Sequence, residues 1–433
     1  MADNNIARFA DMLGQAQWLA PERLASLQVT LLDRLVRHAA AETGAYGTRL
    51  RPVLADDGQI DWTRWEEIPV LTRQEIQGAQ GEYVARSTPP AAGRIVQRST
   101  SGSTGRSMLF PVNSALVDVS GAAVERLHDW TGIDRDATYA CISVSSGPRS
   151  FPVEGEIRDR WSWKGGAGRF AVMSIEATVE AQLDFLDQIQ PAYVRTYPTN
   201  AAALAKLGRG RPWARSLRRF FVVGEPLTDD HIDTIKANVG VNVSAFYGSE
   251  EAGHIAAQCP HSGDYHIGSE LIHVELLRED GSPCESGEEG RVVVTPFYAY
   301  AMPLVRYDQG DLAVLSERPC GCGRSLPTIR RILGRSRDMF VTPDGKRIWP
   351  RLSETQMLEF VPAVQRQVVQ HSTQRVELRY VHDGSEREVD LGGLRELFKR
   401  RYWPSLEVEV TRCDALVRSP GGKYREFICL IDQ

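Results

Sequence analysis

Hydrophobic residues recur at helical spacing near the start of the chain and in short, strand-like runs further along it. Four leucines, spaced three or four positions apart, define one face of a helix predicted over residues 21–43, which Gly44 ends. Beyond it, apolar runs short enough for buried strands alternate with helical patterns. This alternation predicts an α/β fold.

The predicted elements that follow this helix extend through the first three quarters of the chain. They are a strand over 94–98, helices over 113–130, 175–189 and 199–207, and buried strands over 220–223 and 241–246 with a helix over 229–238 between them. The runs 271–277 and 290–295 have the pattern of an antiparallel hairpin, joined by the turn-rich segment 279–289.

The pattern changes near Gly334, where four arginines surround the glycine in a polar connection. The residues that follow, 335–433, are enough for a small domain. They contain alternating strands over 375–381 and 406–411 around a helix over 391–401. The sequence therefore predicts a large domain over 1–334 and a compact α+β lobe over 335–433.

Composition excludes several classes of protein. The 433 residues include 51 Lys+Arg and 56 Asp+Glu, a net charge of −5, which argues against a nucleic-acid partner because such proteins carry a basic face or tail. No apolar run is long enough to cross a membrane, and the first residues lack the pattern of a secretory signal. The seven cysteines are unevenly placed and form no disulfide framework. We therefore expect a cytoplasmic protein without membrane contacts.

A Ser/Thr/Gly-rich segment after the first predicted strand has the composition of a phosphate-binding loop. Gly102 and Gly105 permit backbone angles that let successive N–H groups converge on an anion. The hydroxyls of Ser101, Ser103 and Thr104 add donors for phosphate oxygens. A strand before the segment and a helix after it are the usual context of such a site. No lysine follows the second glycine, which excludes the loop of P-loop nucleotidases, and a flexible linker is the alternative interpretation.

Further motifs follow this loop in a fixed order. They are Gly224-Glu225-Pro226, Tyr247-Gly248-Ser249-Glu250-Glu251, Arg306-Tyr307-Asp308-Gln309-Gly310-Asp311 and Ser419-Pro420-Gly421-Gly422-Lys423-Tyr424-Arg425. Together with the loop they resemble the adenylate-forming enzyme superfamily over nearly the whole chain. Two further segments resemble the phenylacetate–CoA ligase branch of this superfamily. They are Trp65-Glu66-Glu67-Ile68-Pro69-Val70-Leu71-Thr72 and Cys320-Gly321-Cys322-Gly323.

The resemblance implies an α/β fold with a large N-terminal adenylate-forming domain, whose β-sheets are flanked by helices, and a small mobile α+β C-terminal lobe. It implies that ATP activates a carboxylic acid, an aromatic one in this branch, as an acyl-adenylate with release of pyrophosphate. The acyl group then passes to coenzyme A. ATP, Mg²⁺ and coenzyme A are thus the implied cofactors and co-substrate, a small-molecule acid is the implied partner, and a homodimer stays open.

The same resemblance assigns roles to individual residues. Lys423 and Glu251 are the implied catalytic residues, because Lys423 neutralises charge on the substrate carboxylate and the α-phosphate while Glu251 holds Mg²⁺. Asp311 accepts hydrogen bonds from the ribose hydroxyls, and Tyr247 stacks on the adenine. The other implied nucleotide-binding residues are Ser101, Gly102, Ser103, Thr104 and Gly105 around the β- and γ-phosphates, Gly224, Glu225 and Pro226 beside the adenine, and Phe246, Gly248, Ser249, Glu250 and Arg335. Asp338 is implied as the hinge between the lobes.

Two positions depart from the family pattern. Glu250 stands where the family usually has Ser or Thr, and the loop ends Gly105-Arg106-Ser107 instead of Gly-x-Pro. An extra carboxylate near a triphosphate is unfavourable unless it points away, binds metal or contacts an amino group of the substrate. These departures bear on the acid and on the second step more than on adenylation.

Cysteines and histidines in the second half of the chain predict a zinc site. Cys320 and Cys322 form a tight pair, and Cys259 with either His261 or His266 adds the other ligands. Three thiols and one imidazole make a closed tetrahedral site, which is structural by its ligand type. Relatives with Cys-x-Cys-Gly here resemble zinc-bound members of the branch. Small buried cysteines beside unrelated histidines are the alternative interpretation.

The acyl pocket of the superfamily is formed mostly by residues between the loop and Glu225. The candidate lining segments are 143–149, 161–164, 165–168 and 195–200. Trp161, Trp163 and Tyr197 are candidates to flank an aromatic ring, and Arg149, Lys164 and Arg195 are candidates to pair with an acidic or polar substituent. An ordinary core or surface role is the alternative for each of them.

Two other functions stay open. An adenylating enzyme of specialised metabolism would use an amine, a carrier-protein thiol or another acceptor, or would activate an unusual acid. A non-catalytic, zinc-stabilised scaffold would keep only the nucleotide pocket, but the presence of Lys423, Asp311 and Glu251 argues against it.

Overall fold

The computed structural model describes residues 2–55, 57–99, 108–144, 151–350, 354–416, 418 and 424–431. Its helices are α1 Ala2–Ala16, α2 Pro21–Glu42, α3 Tyr46–Arg49, α4 Arg73–Gly78, α5 Gln80–Tyr83, α6 Ser114–Thr131, α7 Val179–Ile189, α8 Pro198–Leu207, α9 Pro212–Ser216, α10 Asp229–Val239, α11 Glu354–Leu358 and α12 Leu391–Arg401. Within these described ranges, none of the helices combines the length and the apolarity that crossing a bilayer requires.

The strands extend from residue 95 to residue 429. They are β1 Ile95–Ser99, β2 Leu109–Asn113, β3 Tyr139–Ser143, β4 Glu156–Arg160, β5 Arg169–Ser174, β6 Tyr193–Thr196, β7 Arg219–Val222, β8 Asn242–Ser249, β9 Gly253–Gln258, β10 Tyr265–Ile267, β11 Ile272–Leu277, β12 Glu289–Pro296, β13 Tyr307–Leu315, β14 Thr328–Arg335, β15 Phe340–Val341, β16 Arg347–Ile348, β17 Ala363–Ser372, β18 Arg375–His382, β19 Glu407–Arg412 and β20 Phe427–Cys429.

One mixed sheet organises most of the chain, in the strand order β11-β12-β13-β14-β10-β9-β8-β7-β6-β3-β5-β4. Strands β5, β3, β6, β7 and β8 pair in parallel, whereas β9 to β14 pair antiparallel. Strand β8 joins the two halves, because residues 242–245 pair with β7 and residues 246–249 pair with β9. The motif that ends in Glu251 therefore lies where the parallel half meets the antiparallel half.

The parallel strands carry apolar side chains on both faces, as expected for strands covered on both sides. Side chains alternate across a strand, so neighbours in sequence enter different cores. Val194 and Phe220 pack in the main core, whereas Tyr193, Phe221 and Tyr139 pack in a separate aromatic cluster on the other face.

Side-chain caps fix the starts of several helices next to the sheet. Thr178 caps α7 and Thr228 caps α10 by accepting a backbone hydrogen bond. Thr72 and Glu75 form a reciprocal capping box at α4. A cap orients the first turn of its helix, and the first turn of α4 carries Arg73.

The residues after β14 include a smaller sheet in the order β19-β18-β17-β20, with a core of its own. Helix α12 buries Leu394, Leu397 and Phe398 in that core. The strands and the helix predicted here from the sequence correspond to β18, β19 and α12. The domain boundary between residues 334 and 335 stays a prediction.

Two local predictions are corrected. The helix predicted from residue 175 begins at Val179, because β5 continues to Ser174 and a turn precedes the cap at Thr178. The loop after β1 does not lead directly into a helix, because β2 follows it and pairs antiparallel with β1. Phe110 of β2 is buried, and this inward-facing position stabilises a strand where the sequence indicated loop.

Candidate functional site

A cavity of about 180 Å³ lies at the carboxyl ends of β7 and β8, between the large sheet and the C-terminal residues. Crevices outside the carboxyl ends of strands are the usual ligand sites of open α/β sheets. Predicted nucleotide-binding residues line it: Gly224, Glu225, Pro226, Phe246, Tyr247, Gly248, Asp311 and Arg335. The C-terminal residues Trp349, Tyr424, Arg425 and Phe427 close its other side. We call this space the nucleotide cavity.

Asp311 is held in the cavity by two charged or polar partners. The Tyr247 hydroxyl donates to its Oδ2 at 2.7 Å, and Arg335 Nε lies 3.0 Å from its Oδ1. Burial and the neighbouring Asp311 raise the pKa of Tyr247 well above its usual range, so the hydroxyl stays protonated and keeps donating. Arg335 also donates to the backbone carbonyl of Gln309. The aspartate is thus oriented before any ligand arrives.

Glu225 connects the large domain to the C-terminal residues. Its carboxylate accepts hydrogen bonds from the Thr199 hydroxyl at 2.7 Å, from the Thr199 N–H at 3.2 Å and from the Tyr424 N–H at 2.6 Å. Only 3% of the Glu225 side chain is exposed, and burial raises its pKa. Glu225 therefore fixes residue 424 against the rim of the nucleotide cavity.

Glu250 and Glu251 point to different arginines. Glu251 is 8% exposed, and its Oε1 accepts a hydrogen bond from Arg73 at 3.1 Å. Glu250 is 41% exposed, and its Oε2 lies 3.4 Å from Arg98 near the end of β1. Arg98 partly neutralises Glu250. Whether Glu250 points away from the phosphates, binds metal or contacts the substrate stays a prediction, because residues 100–107 lie outside the described part of the chain.

The segment 65–72 is fastened to the motif that contains Asp311. Arg306 donates to the backbone carbonyls of Glu66 and Ile68, both at 2.6 Å, and forms an ion pair with Glu275 at 2.9 Å. Leu71 then pairs with Tyr307 as an isolated bridge. These contacts position the start of α4, and with it Arg73, beside Glu251.

Cys259, His266, Cys320 and Cys322 bring their ligand atoms within 4.8 Å of one another. His266 Nδ1 donates to the carbonyl of Leu326 at 3.0 Å, which directs Nε2 toward Cys322 Sγ at 3.2 Å. Between the two histidines that spacing left open, the structure brings His266 to the thiols. His261 is outside this group and lies beside Gly321. Three thiols and one imidazole fit a closed zinc site.

The predicted acyl-pocket residues fall into two groups. Trp161 and Tyr197 are directed inward, and the Ser143 hydroxyl lies 3.4 Å from the Tyr197 hydroxyl. Trp163 is 45% exposed, and Lys164 pairs with Asp129 at 3.0 Å on the surface. The structure therefore does not bring Trp163 and Lys164 to the sheet face that Arg195 and Trp161 share.

Some predicted residues lie outside the described part of the chain. They are Ser101, Gly102, Ser103, Thr104, Gly105, Arg149 and Lys423. The predicted hinge residue Asp338 is described, and it forms an ion pair with Arg425. Burial raises the pKa of Asp338, while Arg425 opposes that rise.

No family model matches the sequence. The sequence is 28% identical over 281 residues to phenylacetate–coenzyme A ligase of Thermus thermophilus, covering 58% of this chain and 63% of that ligase. It is 21% identical over 369 residues to protein CapK of Staphylococcus aureus, covering 83% of this chain and 79% of CapK. The match to the curated ligase thus spans less than two thirds of its length.

The fold matches a solved 2-hydroxyisobutyryl-CoA ligase in its postadenylation state, in complex with an acyl-AMP. The TM-score is 0.73 at 20% identity, covering 96% of this chain and 90% of that ligase. This chain and that ligase share one fold. The predicted α/β fold with a C-terminal lobe is confirmed, and so is the resemblance to phenylacetate–CoA ligases.

Proposed function

We propose that this protein activates a carboxylic acid with ATP, forms an acyl-adenylate with release of pyrophosphate, and transfers the acyl group to coenzyme A. The observation that carries the proposal is the nucleotide cavity, where Tyr247, Asp311 and Arg335 are already connected by hydrogen bonds and charge. Such preorganised groups need no rearrangement during the reaction. The similarity to phenylacetate–CoA ligases supports both steps.

The nucleotide is held through its base and its sugar. Gly224, Glu225 and Pro226 lie along one side of the adenine, and Tyr247 stacks on the other. The Asp311 carboxylate accepts hydrogen bonds from the ribose hydroxyls, a bond strengthened by its charge. Arg335 keeps that carboxylate aligned.

The residues around the phosphates bind and neutralise their negative charge. Ser101, Gly102, Ser103, Thr104 and Gly105 hold the β- and γ-phosphates through backbone N–H groups and hydroxyls. Glu251 is the ligand for Mg²⁺, which would neutralise the phosphate oxygens when bound. Its Oε2 accepts no hydrogen bond from the described residues, so it offers a hard oxygen ligand that suits this cation.

Lys423 supplies the positive charge at the reacting atoms. It precedes Tyr424, whose N–H is donated to Glu225 at the rim of the cavity. The ammonium group contacts both the acid carboxylate and the α-phosphate, which stabilises the charge that grows as the new bond forms. Arg335 and Asp338 lie at the junction of domains 1–334 and 335–433, and rotation there withdraws Lys423 before the thiol attacks.

Four residues of the antiparallel half of the sheet would hold a structural zinc ion. Cys259 and His266 come from the β9–β10 hairpin, and Cys320 and Cys322 from the connection between β13 and β14. Four protein ligands would leave no open position, so the metal would supply stability and no catalysis. These ligands would fix the hairpin against the strand that carries Asp311.

Acid-dependent exchange of pyrophosphate into ATP tests the first step. We expect exchange with at least one acid in the wild-type protein, a loss of 100-fold or more in Lys423→Ala, and no change in Lys346→Ala, a surface lysine that is 79% exposed. Equal exchange in both variants would contradict the role of Lys423. Faster AMP release on addition of coenzyme A, but not of an amine, tests the acceptor.

A further inference from the structure

Arg195 lies on the sheet face opposite the main core, near the carboxyl end of β6. Its neighbours across the strands are Cys141 and Phe221, and its guanidinium lies 5.9 Å from the ring centre of Phe246. Phe246 also lines the nucleotide cavity. Arg195 is partly exposed, although the residues around it belong to the aromatic cluster. The guanidinium therefore lies at the boundary between this cluster and the space beside the cavity.

No carboxylate lies within 4.0 Å of Arg195 in the part of the chain that the structure describes, and its buried Nε donates no hydrogen bond there, although the guanidinium also interacts with the Cys141 thiol. A buried guanidinium without a counter-ion is unfavourable, and charges buried in proteins are normally paired. The contact with Phe246 offsets only part of this cost. Arg195 thus has no carboxylate counter-ion among the described residues, and a ligand carboxylate would supply one.

Two buried carboxylates on this side of the sheet, Glu125 and Glu225, have other partners. Glu125 binds Arg135 at 3.0 Å and the Trp163 N–H at 2.9 Å. Glu225 accepts its hydrogen bonds from Thr199 and Tyr424. Neither forms an ion pair with Arg195, so the protein's own acids on this side are already used.

Two histidines on the same face also keep nitrogen atoms without hydrogen bonds. His128 and His254 are each 5% exposed. Neither ring nitrogen of His254 has a hydrogen-bond partner among the described residues, whereas His128 Nδ1 lies 3.8 Å from Glu125 Oε2. The His254 ring stacks on Phe246 at 6.2 Å, so Phe246 lies between His254 and Arg195. His128 packs against Phe221, the cross-strand neighbour of Arg195. Arg195 and His254 therefore both have ring or guanidinium nitrogens without hydrogen bonds beside Phe246.

We propose that Arg195 is a specificity-determining residue that binds a second carboxylate on the acid substrate. This inference rests on the proposed adenylation. One carboxyl group of the substrate is activated at the nucleotide cavity, and the other forms an ion pair with Arg195. The ring of Phe246, which lines the nucleotide cavity and contacts Arg195, suits an apolar, planar connection between the two carboxyl groups. The substrate class is therefore an aromatic dicarboxylic acid.

The test compares acids that differ only in the second carboxylate. The probes are phenylacetate, 4-carboxyphenylacetate and its benzoate methyl ester, and kcat/KM for each is measured by pyrophosphate exchange. The variants are Arg195→Met, which removes the charge at similar length, and Arg195→Lys, which keeps it. Arg219→Met is the matched control. Arg219 lies at the amino end of β7, away from the carboxyl ends of the strands, and donates to Ser244. Calorimetric binding of 4-carboxyphenylacetate is measured in parallel.

We expect the wild-type protein to prefer the diacid by about 10- to 100-fold over the monoacid and the ester, as for a charge-assisted hydrogen bond. Arg195→Met should abolish this preference while keeping exchange with phenylacetate, Arg195→Lys should retain part of it, and Arg219→Met should retain all of it. An unchanged preference in Arg195→Met, or a wild-type preference for the monoacid, overturns the inference.

The binding experiment separates this inference from the proposed function. If no acid supports exchange but the diacid binds to the wild-type protein and not to Arg195→Met, adenylation is refuted and the role of Arg195 stands. If the diacid binds equally to both proteins, or to neither, the role of Arg195 is refuted whatever the exchange results.

Discussion

Charged groups on the two sides of strand β8 differ in whether they have hydrogen-bonded or ion-paired partners. On the nucleotide side, Asp311, Glu225 and Glu251 each have partners within 3.2 Å. On the side proposed for the acid, Arg195 has no carboxylate partner among the described residues, and neither ring nitrogen of His254 has a hydrogen bond there. Under the proposed function, groups that bind ATP would meet the same ligand in every turnover, so they can be oriented by one another. A group that recognises the acid, as we propose for Arg195, would depend on that acid for its counter-ion.

The largest effect that this comparison predicts is on the nucleotide side. Asp311→Asn should raise KM for ATP by about 100-fold, because the amide keeps the shape of the side chain but loses charge-assisted bonds to Tyr247, Arg335 and the ribose. The preference among acids should not change. Exchange kinetics at varied ATP measure both. Glu317→Gln is the control, because this exposed residue pairs with Arg330 outside the cavity, and a KM within threefold of wild type in Asp311→Asn would contradict the assignment.

The residues that the sequence identified are those whose chemistry is contained in short contiguous motifs. Tyr247, Asp311 and Glu225 fall in such motifs, and the structure places them around one cavity. The sequence predicted the three cysteines of the candidate zinc site, but it could not choose His266 over His261, because that choice depends on the β9–β10 pairing and not on spacing.

The residues that the sequence analysis missed act across long separations. Arg73 meets Glu251 from 178 positions away, and Arg98 meets Glu250 from 152 positions away. The sequence around either arginine carries no signal of its partner, because the contact depends on how α4 and β1 are placed on the sheet. Strand β2 was missed for a similar reason, since its pairing with β1 stabilises a segment with little strand signal of its own.

The second prediction concerns the zinc cluster in the antiparallel half. Cys322→Ser should lower bound zinc from about one ion per chain to near zero and lower Tm by several degrees, because one ligand of a closed site is lost. Elemental analysis and thermal unfolding measure the two effects. Cys413→Ser, a free cysteine of the C-terminal lobe, should change neither. A chelator should lower Tm of the wild-type protein and leave Tm of Cys322→Ser unchanged, and a stable, zinc-free wild type would refute the site.

The third prediction tests whether the neighbours of Glu125 hold its carboxylate in the charged form. Burial alone would raise the pKa of Glu125 above its ordinary value of 4.5. The opposite effect of His128, the Trp163 N–H and Arg135 is larger, so the pKa falls to about 2. A lowered pKa stabilises the folded state above pH 4.5, and this contribution is lost as the pH falls toward 2.

Glu125→Gln should therefore lower the free energy of unfolding by about 2–3 kcal/mol at pH 7, and the difference from wild type should shrink by pH 3. Urea unfolding at both pH values measures this. Glu156→Gln, whose side chain is 48% exposed and pairs with Arg158, should cost less than about 0.5 kcal/mol at either pH. A difference for Glu125→Gln that does not depend on pH would mean that the carboxylate is not held in its charged form.

The smallest effect is expected for Lys164, a surface cation that serves as a comparison for Arg195. Lys164 pairs with Asp129 at 3.0 Å and lies 3.7 Å from Asp11, and all three side chains reach solvent. Ion pairs of this kind contribute about 1 kcal/mol or less. Lys164→Ala should therefore leave kcat/KM for every acid within about twofold of wild type, measured by the same exchange assay. If Lys164→Ala shifted the preference between diacid and monoacid by more than threefold, the acid would be recognised at the surface near α6, and the contrast between paired and unpaired sides of β8 would no longer explain specificity.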